Sequence, residues 1–275
     1  AYDPEAQTLR AIEGVPGAAI LGDPIFLEAR LTGAVVAPNR RFALARSEDR
    51  PELLLVRLDG GTGQVFSTRM PPGEVAFSPG GSSVAIVTGR DVEIWTGLPD
   101  APVRLSSLRP QGAAMSKVAV SDDGTAVVAL AGGDLWRLTA EGPQALASEV
   151  RDMQFAANSH QLLVALADRI ASIAKVSQDK DLATVVDGVA GIEKLALAAN
   201  GRLVAGMDAE RHLVVADLTT LASARIAGPE NADCLLRAQG DAVFQLTASA
   251  SGELWLLDAS GAQPRIVSVQ KRSDQ

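Results

Sequence analysis

Residues 75–98, VAFSPGGSSVAIVTGRDVEIWTGL, constrain this chain more than any other stretch, because their pattern recurs with drift along most of the sequence. Short apolar groups are separated by Ser78-Pro79-Gly80-Gly81-Ser82 and by Thr88-Gly89-Arg90-Asp91. Those are turn compositions: Pro presets φ, Gly supplies positive φ, and Ser and Asp hydrogen-bond their own backbone. The apolar groups are too short for helices and rich in β-branched residues. Each therefore reads as a buried strand, and the unit as an antiparallel meander.

Matching blocks start at Ala34, Val75, Val118, Met153, Leu195 and Cys234, with spacings of 41, 43, 35, 42 and 39 residues. A period of about 40 residues holding four short strands is that of a propeller blade. Trp95, Trp136 and Trp255 lie 20, 18 and 21 residues beyond their block starts, where a third strand is due. Large rings at that position are expected to fill the wedge between diverging sheets. Fourth strands are expected at 64–67, 103–106, 144–147, 182–186, 223–227 and 265–269. The first 33 residues, β-like at 2–3, 8–12, 17–22 and 25–31, have the length of a seventh, less regular blade. Such a blade would close the ring by pairing strands from both chain ends. The expectation is thus a single all-β domain over 1–275, a seven-bladed β-propeller, with six blades and an N-terminal β extension as the alternative.

Composition narrows the function classes. A formal charge of −8 and a pI near 4.9, with the basic residues dispersed, argue against nucleic acid, which attracts proteins through Lys and Arg facing phosphates. No apolar run approaches the ~20 residues that span a bilayer, so no membrane insertion is expected. The single cysteine, Cys234, allows no intramolecular disulfide and reads as a buried strand thiol. The chain starts at Ala1 rather than Met, which leans the reading toward a processed, exported protein, periplasmic or secreted.

VAFSPGGSSVAIV followed by VEIWTGL resembles the repeat of WD-repeat and related bacterial β-propellers, in which a strand ending in Ser-Pro-Asp-Gly precedes a strand carrying Trp. The resemblance covers residues 34–269, weakly outside the units at Val75 and Val118. The repeats are degenerate: Trp95 is followed by Thr96, Trp136 by Arg137 and Trp255 by Leu256, and no Gly-His pair precedes the blades. The family's network of His, Asp and Trp is therefore missing, and apolar contact between blades is left to supply stability. What the resemblance implies for function is a rigid platform for protein partners.

Motifs for chemistry are sparse. His160 and His212 have no companion ligands at metal-site spacing. Ser121-Asp122-Asp123-Gly124-Thr125 fits neither a calcium loop nor an Asp-box and is accounted for by turn chemistry. No catalytic residue, metal site or cofactor is assigned. One positional pattern does stand out. In a propeller the first strand of each blade lines the channel, so the residue before each block start belongs near one mouth. Those residues are Gly33, Glu74, Lys117, Asp152, Lys194 and Asp233, so that five successive blades present acid, base, acid, base, acid. Such a belt would pair between blades and mark a face for a polar or zwitterionic ligand. The loops between second and third strands share that face and carry Arg46, Arg50, Arg90, Asp91, Asp134, Arg169 and Arg211. The function expected is a non-enzymatic binding or scaffold module offering a mixed-charge face to a protein or small polar ligand. The alternative is an extracytoplasmic propeller enzyme, a lactonase-like hydrolase or a lyase, with its site at the channel mouth.

Overall fold

The computed structural model describes residues 1–25, 27, 29–59, 63–66, 68, 72–109, 114–229, 234–248 and 254–271. The side chains of 63, 234–237, 247, 248, 270 and 271 fall outside this description.

The described residues form seven four-stranded sheets. The chain opens with β1 (Tyr2–Asp3), β2 (Thr8–Glu13) and β3 (Ile20–Pro24). Blade 2 is β4 (Leu31–Val36), β5 (Phe42–Ser47), β6 (Arg50–Arg57) and β7 (Gly63–Phe66). Blade 3 is β8 (Val75–Phe77), β9 (Ser83–Thr88), β10 (Asp91–Thr96) and β11 (Val103–Leu108). Blade 4 is β12 (Lys117–Val120), β13 (Val127–Ala131), β14 (Asp134–Thr139) and β15 (Gly142–Ala147). Blade 5 is β16 (Asp152–Phe155), β17 (Leu162–Ala165), β18 (Arg169–Ile173) and β19 (Ala183–Asp187). Blade 6 is β20 (Ile192–Leu197), β21 (Leu203–Asp208), β22 (His212–Asp217) and β23 (Ser223–Ala227). Blade 7 is β24 (Cys234–Ala238), β25 (Val243–Ala248), β26 (Leu254–Asp258) and β27 (Arg265–Ser268). Finally β28 (Gln270–Lys271) runs parallel to β3, Gln270 opposite Ile20 and Lys271 opposite Leu21, and completes blade 1.

The seven sheets make a seven-bladed β-propeller, and the first strands β8, β12, β16, β20 and β24 succeed one another around the axis. All six block starts read from the sequence lie in first strands. Of the segment 25–31, β-like by sequence, only Leu31 among the described residues lies in a strand, and that strand is β4 of blade 2; the place beside β3 is taken by β28, so blade 1 closes with strands from both chain ends. Pro24, which lacks an N–H, is the last residue of β3. Ile25, Leu27 and Ala29 then turn inward and pack between blades 1 and 2. Cys234 begins β24, but its side chain lies outside the described residues.

The second strands β5, β9, β13, β17 and β21 are buried on both faces, which explains why they read as continuous apolar runs, whereas the outer strands β11 and β23 alternate. In β9, Val84 and Ile86 pack toward Phe42, Leu44 and Leu55 of blade 2. Ala85, between them, packs with Val118, Val120 and Val127 of blade 4. The Trp residues fill these wedges: Trp95 lies 4.7 Å from the ring of Phe66, and Trp136 and Trp255 are half-buried against the clusters between blades 3 and 4 and between blades 6 and 7.

The turns between first and second strands add a polar belt that the sequence did not reveal. Asp122 Oδ1 accepts from Gly80 N at 2.6 Å and Oδ2 from Asn158 N at 2.7 Å. Its carbonyl also accepts from the hydroxyls of Ser82 and Ser83 at 2.8 and 2.7 Å. One aspartate thus ties the equivalent turns of blades 3, 4 and 5. Gly124, at φ +74°, is required here, since a Cβ would fall 2.7 Å from Thr96 Cγ2. Neighbouring Asp123 is partly desolvated, which by itself raises its pKa. Donors from Ser121, Thr125 and His160 outweigh that and hold the carboxyl far below the usual range.

Asp122→Ala should lower the urea midpoint by the equivalent of about 1–3 kcal/mol with an unchanged m-value, and Asp122→Asn by less. An unaltered midpoint for the Ala variant would show that the turn belt contributes nothing.

Candidate functional site

One face of the ring is built from two sets of connections. Backbone hydrogen bonds join the turn between second and third strands of one blade to the segment entering the next: Val150 N donates to Gly133 O at 2.9 Å, Gly191 N to Ala167 O at 2.8 Å, and Gly228 N to Arg211 O at 2.9 Å. In blade 2 the same turn is tied to the segment entering its own blade, Glu48 N donating to Arg30 O at 3.3 Å. The charged turns and the residues preceding the first strands therefore share a surface around the channel mouth.

Four of the five belt residues meet there. Lys117 Nζ forms an ion pair with Asp152 Oδ1, joining blades 4 and 5. Asp152 is buried, and its second oxygen accepts from Leu195 N of blade 6 at 2.7 Å. Glu74 of blade 3 accepts in the same way from Val118 N of blade 4. The acid preceding one block is thus anchored to the first residue of the next, and Gln154 repeats the arrangement with Leu197 N at 2.9 Å. Glu74 retains solvent access but has protein packed around it, and this desolvation raises its pKa. Lys117, the Val118 amide and Lys194 pull the other way, Asp152 adds to the rise, and the net shift is upward. Lys194 is exposed within electrostatic range of Glu74. Asp233, the fifth member, lies outside the described residues, and Gly33 sits in β4.

The turn residues are dispersed around this mouth rather than gathered at one point. Arg46 donates to Gly73 O of the segment entering blade 3. Asp91 is paired with Arg109 at 2.7 Å, and Arg169 with its neighbour Asp168 at 3.2 Å. Arg50, Arg90, Asp134 and Arg211 are exposed on their turns.

Sequence reasoning missed a denser cluster on blade 6. Asp208, Glu210 and His212 converge, and Asp208 is buried. Three such donors are a metal-site composition, but the Arg225 guanidinium occupies the space between them. Its Nη2 lies 2.5 Å from Asp208, 2.9 Å from His212 Nδ1 and 3.5 Å from Glu210. A cation is already built in. The alternation Asp-x-Glu-x-His was a readable signal, whereas the fourth-strand arginine that answers it is 13 residues from His212.

No protein-family model matches the chain. No curated protein matches it either. Among solved structures it is similar to the β-propeller domain of Cps50 (Swd1) from Myceliophteria thermophila, with TM-score 0.59 and 14% identity over 86% of this chain and 87% of that one. It is also similar to hydrazine synthase from Kuenenia stuttgartiensis, with TM-score 0.60 and 10% identity over 82% and 76% of the two chains. At these identities the likeness concerns the fold alone, that of a β-propeller.

Two outcomes are expected of the mouth. A carboxyl whose pKa is raised on folding binds its proton more tightly in the native state, so its contribution to stability falls as pH climbs from the ordinary value through the raised one. Glu74→Gln lacks this loss, and its urea midpoint should gain on that of the wild type as pH climbs above the ordinary glutamate value of about 4. Parallel curves would contradict the desolvation of Glu74. Separately, a double-mutant cycle of Lys117→Met and Asp152→Asn should give a favourable coupling of about 0.5–3 kcal/mol, with the Asp152 variant the more damaging of the two singles. Zero coupling would remove the ion pair from the account of blade-to-blade contact.

Proposed function

We propose that this protein is a non-enzymatic binding or scaffold module that presents its mixed-charge mouth to a protein or small polar ligand. The observation that carries the reading is the use made of the mouth's acids. Asp152 spends one oxygen on Lys117 and the other on the Leu195 amide, and Glu74 accepts from the Val118 amide. Asp152, with both oxygens so engaged, holds blades 4, 5 and 6 in register and is poorly placed to take a substrate proton. Around this fixed centre the exposed side chains of Arg50, Arg90, Asp134 and Lys194 offer both signs of charge to a partner, with Arg as the anchor type. The fold alone is neutral on the question, since its structural neighbours include hydrazine synthase as well as the Cps50 (Swd1) domain. A net charge of −8 supports a partner other than nucleic acid.

The test compares faces. Arg50→Ala with Arg90→Ala alters the mouth, whereas Arg41→Ala with Arg202→Ala alters the opposite face, where both residues occupy turns between first and second strands. In quantitative cross-linking from native extract, the mouth variant should lose its specific partners by about ten-fold and the other should keep them. Equal recovery by both variants would overturn the assignment of the face.

A further inference from the structure

Leu221 is the side chain that packing within the ring accounts for least. It occupies the turn between β22 and β23 at φ +61°, a left-handed backbone conformation that is strained for leucine and that Asn or Gly adopts readily. The turn holds it there: Leu221 N donates to Asp217 O at 2.8 Å, and Asp217 N to Ala222 O at 2.9 Å. The side chain is 62% exposed and joins neither of the apolar clusters that bind blade 6 to its neighbours. Backbone strain and exposed apolar surface thus coincide at one position, and no apolar cluster among the described residues offsets them.

Turns between third and fourth strands lie on the face opposite the mouth, and that face also carries an apolar recess between blades 3 and 4. Val103 of β11 is paired with Thr96, whose Cγ2 lies against the blade 4 turn at Gly124, so Val103 is on the side of its sheet that faces blade 4. Leu105 is on the same side, since a Cβ on Gly124 would meet its Cδ2 at 3.3 Å. These two side chains are 60% and 51% exposed, whereas Val127 and Leu138 of blade 4, across the recess, are buried and form its floor. Charge complements shape. Exposed Asp123 and Glu141 flank the blade 4 residues of the recess in sequence, and the turn carrying Leu221 brings a base with it. Arg202 is exposed beside that turn, while the Asp217 carboxylate paired with it at 2.7 Å is largely covered.

We propose that two copies of this chain associate through this face, with Leu221 of each seated between Leu105 and Leu138 of the other and Arg202 against the acids at the rim. Burial in the second copy gives the exposed leucine the apolar surroundings that its own chain does not. Knob and recess both belong to the outer halves of their blades, so a two-fold axis in the plane of the ring exchanges them. The contact is then made twice and closes at a dimer instead of running on as a filament. Both mouths point outward in such a pair, and the inference does not rest on the reading given for the mouth.

Sedimentation velocity of the whole chain from about 1 to about 200 µM tests the interface. The wild type should shift from monomer toward dimer across that range. Leu221→Asn removes the knob and suits the left-handed turn; it should weaken association by at least about ten-fold, with a urea midpoint at about 1 µM no lower than that of the wild type. Leu105→Glu, at an exposed position, should weaken association similarly and decides the matter should the Leu221 variant fold poorly. Arg50→Ala with Arg90→Ala, at the mouth, should leave association unchanged. A wild type still monomeric at about 200 µM, a dimer that survives Leu105→Glu, or one lost in the mouth variant would overturn the interface.

Discussion

Everything in this molecule depends on apolar contact between neighbouring sheets. The buried side chains divide into clusters that each straddle two adjacent blades, from Leu9 against Ala43 and Val56 at the start to Leu21 against Leu254 and Leu256 where the ring closes. Burying one Leu, Ile or Phe contributes about 1.5–3 kcal/mol, whereas an exposed ion pair contributes ~0–1 kcal/mol. A wedge holding Phe42, Leu44, Leu55, Phe66, Val84 and Ile86 therefore outweighs any plausible charge pairing at its ends. The ring must also close, and the parallel pairing of β28 with β3 is short. Ala19, Leu21 and Val269 around it provide the greater share of that closure.

Polar side chains then act at the two ends of each wedge, where inner strands emerge and orphan amides need acceptors. On one face Asp122 gathers amides from Gly80 and Asn158, and on the other Asp152 and Glu74 take Leu195 N and Val118 N. The same device, a carboxylate reaching from one blade to the backbone of the next, appears on both faces with different residues. It fixes the angular spacing that the apolar wedges leave loose, since hydrophobic contact is not directional.

The fold was legible because strand length, turn chemistry and a period near 40 residues are local properties, repeated often enough to reinforce one another. Block starts and Trp positions follow from that repetition. Closure of blade 1 by strands from both chain ends was legible, but no local pattern at 25–31 distinguishes a strand of that blade from a segment folded inward between blades 1 and 2. The meeting of Lys117 with Asp152 could be anticipated because the residues before the block starts recur in position with the repeat. The use of the belt's acids as backbone acceptors could not, because an aspartate facing an amide 43 residues away leaves no mark on the pattern. Arg225 filling the Asp208, Glu210 and His212 cluster was hidden for the same reason.

Asp122, Asp152 and Asp208 show how a ring of this kind separates structure from display. Each has its oxygens saturated by amides or cations, so each is consumed in holding the blades. In a scaffold already held by apolar wedges, polar groups beyond those needed to satisfy the strand ends add little to stability. A side chain simply displayed, such as Arg90 at the mouth, is therefore where recognition has room to reside. The acidic overall charge sharpens this distinction. Against a background of −8, an exposed guanidinium is a local reversal of sign, and reversals of sign are what a charged ligand can find.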